Sequence, residues 1–249
     1  MIDEKAREEF ARDGFVHLPG FMDADEMDAI EALWERALRE VVPTLSRSDA
    51  MYEDYDRPET LKQVALPEVG TEALATMAKG RFDGPMEYLM EEDVVGQGLE
   101  MFIKPRLVGT PTPPHQDGFY FCLEGNRAAT AWLALDDMDD ENGTLHYVAG
   151  SQQAGVLDHR ASQVLGFSQG LLESELALYG RDVACPLRRG DLLVHHCLTI
   201  HRAAGNRSQR LRRALALVYY AASERKDTDR WQRYRQSADS QRRQLGVLR

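Results

Sequence analysis

From about residue 98 the chain changes character, and that change most constrains its fold. Apolar or alternating runs become short, and Gly, Pro, Asn and Asp separate them. Alternation at period two marks strands that bury one face. The runs predict strands at Leu99–Ile103, His115–Phe121, Ala129–Leu135, Thr144–Val148, Val183–Pro186, Leu192–His195 and Arg212–Ala221, with a turn at Glu141-Asn142-Gly143. Many short strands with helices gathered at one end predict a mainly β protein, a jelly-roll barrel with helical additions.

The first 95 residues carry the helical signals. Residues 3–13 read as a short amphipathic helix with Ala6 and Phe10 inward, stopped at Asp13-Gly14. A brief strand follows at Phe15–Phe21. Asp23 then caps a helix from about 24 to 42, ended by Pro43. Its Met27, Ile30, Leu33, Trp34, Ala37, Leu38 and Val41 recur at helical spacing. Residues 44–60 read as a polar rim loop or lid, and short helices are expected at 58–66, 70–80 and 84–90. The segment 169–179 reads as an inserted helix or loop. Residues 223–243 read as a charged terminal helix anchored by Trp231 and Tyr234. No repeat or linker interrupts the chain. We therefore expect one domain over 1–249: helical support and lid to 95, jelly-roll core over 96–222, and a C-terminal helix over 223–249.

Composition excludes several partners. The net charge of −11 argues against broad nucleic-acid binding. No apolar run is long enough for a membrane span. The start, MIDEKAREEF, lacks a secretory signal's apolar core, so a cytoplasmic protein is expected. Cys122, Cys185 and Cys197 show no metal or disulfide spacing and are expected to be reduced.

One stretch suggests chemistry. Within PPHQDGFYF, Pro113–Phe121, His115 and Asp117 are two residues apart. In a strand both project from one face, with Gln116 away. An imidazole and a carboxylate side by side, joined by a distant third ligand, form the two-histidine, one-carboxylate set of non-haem Fe(II) oxygenases. His195, His196 and His201 are candidates for the third position. His195-His196-Cys197 also permits a zinc site. The segment after His201 favours that residue. A turn at Ala204-Gly205-Asn206 returns the chain as the strand starting at Arg212, whose guanidinium suits a carboxylate ligand. Arg210 and Arg213 compete, but Arg213 faces opposite to Arg212.

Taken together, DGFVHLPGFMDADEMDAI (Asp13–Ile30), MFIKP (Met101–Pro105), PPHQDGFYF, ENGTLHYVAGSQ (Glu141–Gln152), GDLLVHH (Gly190–His196) and HRAAGNRSQRLRRAL (His201–Leu215) resemble the phytanoyl-CoA dioxygenase family of Fe(II)- and 2-oxoglutarate-dependent oxygenases. The resemblance implies a double-stranded β-helix, the jelly roll. It implies His115, Asp117 and His201 as iron ligands and Arg212 on the distal carboxylate of 2-oxoglutarate. Met101 and Trp132 match pocket-lining positions, and Lys62 falls near a family lysine that contacts the cosubstrate. Dioxygen is implied as a further substrate, with ascorbate stimulatory. Ala203 departs from a family serine. Asp117 separates the chain from halogenases of related fold, which carry Gly or Ala there. A small-molecule substrate is implied, hydroxylated at an aliphatic C–H bond. No basic cluster suits a CoA phosphate, so a free metabolite is preferred to an acyl-CoA. Phe119, Tyr120, Tyr52 and Tyr55 are candidate substrate contacts. The alternative expectation is an inactive or zinc-binding cupin-type protein that binds a small ligand.

Overall fold

The computed structural model describes residues 2–164 and 166–244. The chain opens with α1 (Glu4–Asp13), capped by the Asp3 side chain and stopped by left-handed Gly14. Only glycine fits there, because a Cβ would stand 2.4 Å from both Gln152 and Thr199 side-chain oxygens. After β1 (Phe15–Leu18), a reciprocal capping box between Asp23 and Glu26 starts α2 (Ala24–Glu40). Next come β2 (Ala50–Tyr52), β3 (Leu61–Leu66), α3 (Glu72–Met90), β4 (Val94–Lys104), β5 (Thr112–His115), α4 (Asp117–Phe121) and β6 (Ala128–Ala134). The chain continues through β7 (Leu145–Ala149), β8 (Arg160–Val164), β9 (Phe167–Gly170), β10 (Arg181–Cys185), β11 (Leu192–His196), β12 (His201–Ala203), β13 (Arg212–Ala221) and α5 (Thr228–Gln244).

The strands form the jelly roll expected from their pattern. A seven-stranded sheet runs β1-β11-β6-β13-β4-β3-β2, and a four-stranded sheet runs β10-β7-β12-β5. Every strand pairing among the described residues is antiparallel. The small sheet β8-β9 forms a separate hairpin. Alternation gives the large sheet two apolar faces. Leu99, Met101, Ile103, Leu215 and Leu217 pack under α1–α3 with Met27, Ile30, Trp34 and Phe82. Trp132, Ala134, Ala214 and Ala216 face inward, against Leu145 and Tyr147 of the small sheet. Trp34 is fully buried in the outer layer. Trp34→Ala is expected to cost about 3–5 kcal/mol in a urea titration.

Several local expectations are corrected. The two helices expected at 70–80 and 84–90 are one, α3, which continues through Pro85. Leu74, Ala78, Phe82, Met86 and Leu89 are buried along it at helical spacing, and their packing offsets a proline cost of about 3 kcal/mol. The helix expected at 58–66 is a single 3-10 turn, Pro58–Thr60, followed by β3. Pairing of β3 with β4 overrides local helix propensity there. The rim loop at 44–60 contributes β2 to the sheet edge. The segment 169–179 is the end of β9 followed by a 3-10 turn, Glu173–Leu178. The terminal helix starts at Thr228, so Arg225 and Lys226 precede it. Tyr234 packs edge-on against Phe119 and Tyr120, while the cations of Lys226 and Arg235 lie 5.0 and 4.9 Å from the Trp231 ring centroid. Among the described residues, no helix is long and apolar enough to cross a membrane.

Candidate metal and acid-binding site

The strand expected over His115–Phe121 ends at its first residue, and Asp117 begins the short helix α4. Gln116 is still extended (φ −116°, ψ 129°), so His115 and Asp117 keep a common side and Gln116 turns away. The buried Gln116 amide donates to Gly155 and Leu198 carbonyls and accepts from Leu157 N–H, pinning the corner. His201 reaches the same point from β12, which pairs His201 directly with His115.

One ligand atom from each of His115, Asp117 and His201 lies within 4.8 Å of the others. Asp117 Oδ1 stands 3.5 Å from His115 Nε2 and 3.7 Å from His201 Nε2. These gaps exceed good hydrogen bonds. They approach the separation of ligands about 2.1 Å from one shared ion. The far nitrogens settle the tautomers. His115 Nδ1 lies 2.8 Å from the Pro113 carbonyl, and His201 Nδ1 lies 3.1 Å from that of Thr199. A carbonyl only accepts, so each Nδ1 carries the proton and each Nε2 presents a lone pair. Burial, then His115, holds the His201 imidazole well below its usual pKa, which keeps it neutral. Two lone pairs thus confront a carboxylate oxygen, an arrangement that a cation reconciles.

The other oxygen, Asp117 Oδ2, faces away. It accepts from the Thr130 hydroxyl at 2.9 Å and approaches His195 Nε2 at 3.2 Å. His195 Nδ1 lies 2.9 Å from the hydroxyl of Tyr147. His195 and Thr130 are cross-strand partners on β11 and β6. The zinc expectation is not met. His195, His196 and Cys197 are not in the group that gathers among the described residues. His196 Nδ1 instead accepts from Leu198 N–H, and burial lowers its pKa to about 4. The Cys197 thiol faces the Asn126 carbonyl, and burial pushes it up, away from thiolate.

The three arginines separate cleanly. Arg210 pairs with Asp139 and Glu141, and Arg213 with Asp136 and Glu31. Arg212 is buried, donates to the Gly143 carbonyl and lies over Trp132, 5.4 Å from the ring centroid. No carboxylate among the described residues bridges to it. Burial lowers its pKa to about 9. Its register partner on β4 is Lys104, equally buried, whose ammonium donates to Thr110 O and Thr112 Oγ1. Burial, then Arg212 and Lys62, hold Lys104 well below the ordinary lysine range. Two buried basic side chains thus lie side by side, and Glu53, which pairs with Lys62, lines the same pocket.

Lys104 was not anticipated, although it lies inside MFIKP. Met101 was expected at the pocket. It sits instead in the outer core under the helices, because residues 100, 102 and 104 occupy the inward face. Trp132 does face inward. Lys62 is buried on β3 and bonded to Glu53 and Thr110. With Lys104, Phe167 and Arg212 it lines a narrow pocket of about 20 Å³. That pocket shares Glu53, Lys62, Thr110 and Pro111 with a cavity of about 680 Å³ lined also by Tyr52, Pro113, Pro114 and Leu171. Of the other aromatics, Tyr120 packs 5.7 Å from the His115 ring, Phe119 stacks on His159, and Tyr55 turns toward Arg47. Ala203 lies in the inner apolar core. A cavity of about 810 Å³ between α1 and α3 contains none of these ligand candidates.

The family model for phytanoyl-CoA dioxygenase (PhyH) matches residues 10–214. The chain belongs to the phytanoyl-CoA dioxygenase family. It is 32% identical to phytanoyl-CoA dioxygenase domain-containing protein 1 of Mus musculus over 129 residues, covering 50% of this chain and 44% of that protein. The chain thus matches less than half the length of that relative. A probable alpha-ketoglutarate-dependent hypophosphite dioxygenase of Stutzerimonas stutzeri is 23% identical over 90% of this chain and 80% of its own. Among solved structures, the alpha-ketoglutarate-dependent epimerase SnoN from nogalamycin biosynthesis superposes with a TM-score of 0.70 at 26% identity, covering 89% of this chain and 83% of that one. EctD from S. alaskensis, solved with 2-oxoglutarate and 5-hydroxyectoine, superposes at 0.73 and 21% identity, covering 89% and 77%; at that identity the likeness is one of fold. Epimerase and carbocyclase chemistry occur among the chain's structural neighbours.

Proposed function

We propose that the chain is an Fe(II)- and 2-oxoglutarate-dependent dioxygenase that hydroxylates an aliphatic C–H bond of a small metabolite. One juxtaposition carries the reading. A set of lone pairs fit for a cation and a pair of buried basic side chains fit for an anion share the inside of one barrel. His115, Asp117 and His201 would hold Fe(II), and Arg212 with Lys104 would hold the distal carboxylate of 2-oxoglutarate, as the donor sets require. When bound, iron and 2-oxoglutarate supply the oxidising power, with succinate and carbon dioxide as coproducts. The chain's own side chains orient and exclude. The Trp132 ring braces the Arg212 guanidinium, Thr130 and His195 fix the carboxylate of Asp117, and Phe167 packs 5.0 Å from His115 to shield it from water. The cavity of about 680 Å³ beside Lys62 suits a small ligand. Retention of Asp117 favours hydroxylation over halogenation.

The test is direct. Anaerobic Fe(II) and 2-oxoglutarate should give a visible charge-transfer band, and aerobic protein with ascorbate should form succinate slowly, faster with a matching metabolite from a panel. Tight zinc binding with no band and no succinate would sink the proposal.

Binding should also take up protons. An arriving dianion raises the depressed pKa of Lys104 toward its ordinary value, so the complex holds more protons than the free protein. Affinity for 2-oxoglutarate should therefore fall as pH rises through the free-state Lys104 pKa. Calorimetry in buffers of different ionisation enthalpy measures the uptake, and Lys104→Met should remove it.

A further inference from the structure

We infer that His195, backed by Tyr147, is a positioning residue that holds Asp117 to a single metal-facing oxygen; this rests on the proposed iron site. A carboxylate cannot donate, so the contact between His195 Nε2 and Asp117 Oδ2 at 3.2 Å needs the proton on Nε2. His195 Nδ1 then carries a lone pair, and the Tyr147 hydroxyl, 2.9 Å away, donates to it. Tyr147 is itself held. It is fully buried, and its ring stacks on Phe15 at 4.4 Å, 13° from parallel. The chain of donors runs one way, from tyrosine to imidazole to carboxylate.

Thr130 supplies the second bond to Oδ2, at 2.9 Å. With two donors on Oδ2, the carboxylate cannot swing that oxygen toward an ion between the histidines. Asp117 would then present Oδ1 alone to an ion. A bidentate carboxylate would fill a position that the keto acid or dioxygen needs. His195 is not a spare ligand, because the gathered group is His115, Asp117 and His201. Partners of metal-binding side chains tune affinity by about 10- to 100-fold.

The test uses His195→Phe, His195→Gln and Tyr147→Phe in the full chain, with anaerobic Fe(II) titration as the readout. His195→Phe keeps the ring volume and loses the donor. It should raise the Fe(II) dissociation constant about 10- to 100-fold and shift the Fe(II)–2-oxoglutarate band. His195→Gln restores an N–H donor and should recover most of the affinity. Tyr147→Phe releases the tautomer and should fall between them. Circular dichroism checks that each variant is folded, and His195→Gln keeps the test open if His195→Phe is not. Wild-type Fe(II) affinity and an unshifted band in folded His195→Phe, or no recovery in His195→Gln, would overturn the inference while leaving the iron site standing. Pulsed paramagnetic resonance of Cu(II)-loaded protein should count the same imidazoles in wild type and His195→Phe; loss of one would make His195 a ligand and overturn it too. Absence of Fe(II) binding by the wild-type protein would instead sink the iron site itself, and this inference with it.

Discussion

Asp117→Ala is expected to abolish succinate formation and weaken Fe(II) binding by at least about 100-fold, beyond the range for a supporting group. The two imidazoles would remain, but nothing would neutralise the ion or complete the third corner. Asp117→Asn is the stricter variant. It keeps volume and the Thr130 contact, and it removes the charge. It should give the same loss, with the melting temperature of the metal-free protein shifted by only a few degrees. Anaerobic titration, succinate assay and thermal melting on the same preparations separate a lost metal from a lost fold. Full activity in Asp117→Asn would contradict the assignment.

Lys104→Met is expected to move stability and binding in opposite directions. Without the acid, Lys104 is a buried amine whose charge is disfavoured by burial and by Arg212 beside it. Replacing Lys104 with an apolar chain of similar length removes a desolvated basic group and should stabilise the ligand-free protein by about 1–4 kcal/mol. The same change deletes a charge-assisted bond to 2-oxoglutarate. That should cost about 2–3 kcal/mol, or roughly 30- to 150-fold in affinity. Excess 2-oxoglutarate should raise the melting temperature of the wild type more than that of the variant. Urea titrations with and without the acid measure both halves. Lower stability in the ligand-free variant would show that Lys104 is already compensated.

The range of each signal decides how much was legible in the sequence. The barrel strands were legible because alternation is local and their turns carry Gly, Asn and Pro. The common side of His115 and Asp117 was legible for the same reason, even though the strand ends between them. Gln116 alone needs to be extended. Arg212 was separable from Arg213 by parity. Parity also places Met101 away from Lys104, but only once β4 is fixed by its pairings with β3 and β13. Lys104 matters because it meets Arg212 across a register that no local pattern encodes. The contacts of Asp117 with Thr130 and His195, and of His195 with Tyr147, join residues far apart in sequence and exist only in the closed barrel. The β3 segment was misread because six residues carry too little periodicity to outweigh a neighbouring strand's demand for a partner.

The hairpin of β8 and β9 lays Phe167 against His115 and closes the Arg212 pocket to about 20 Å³. A five-carbon dicarboxylate needs far more room than that. If the proposed cosubstrate binds there, Phe167 is the aromatic ring that would have to give way. On the proposed function, the hairpin rather than the metal site would then govern how readily that pocket opens.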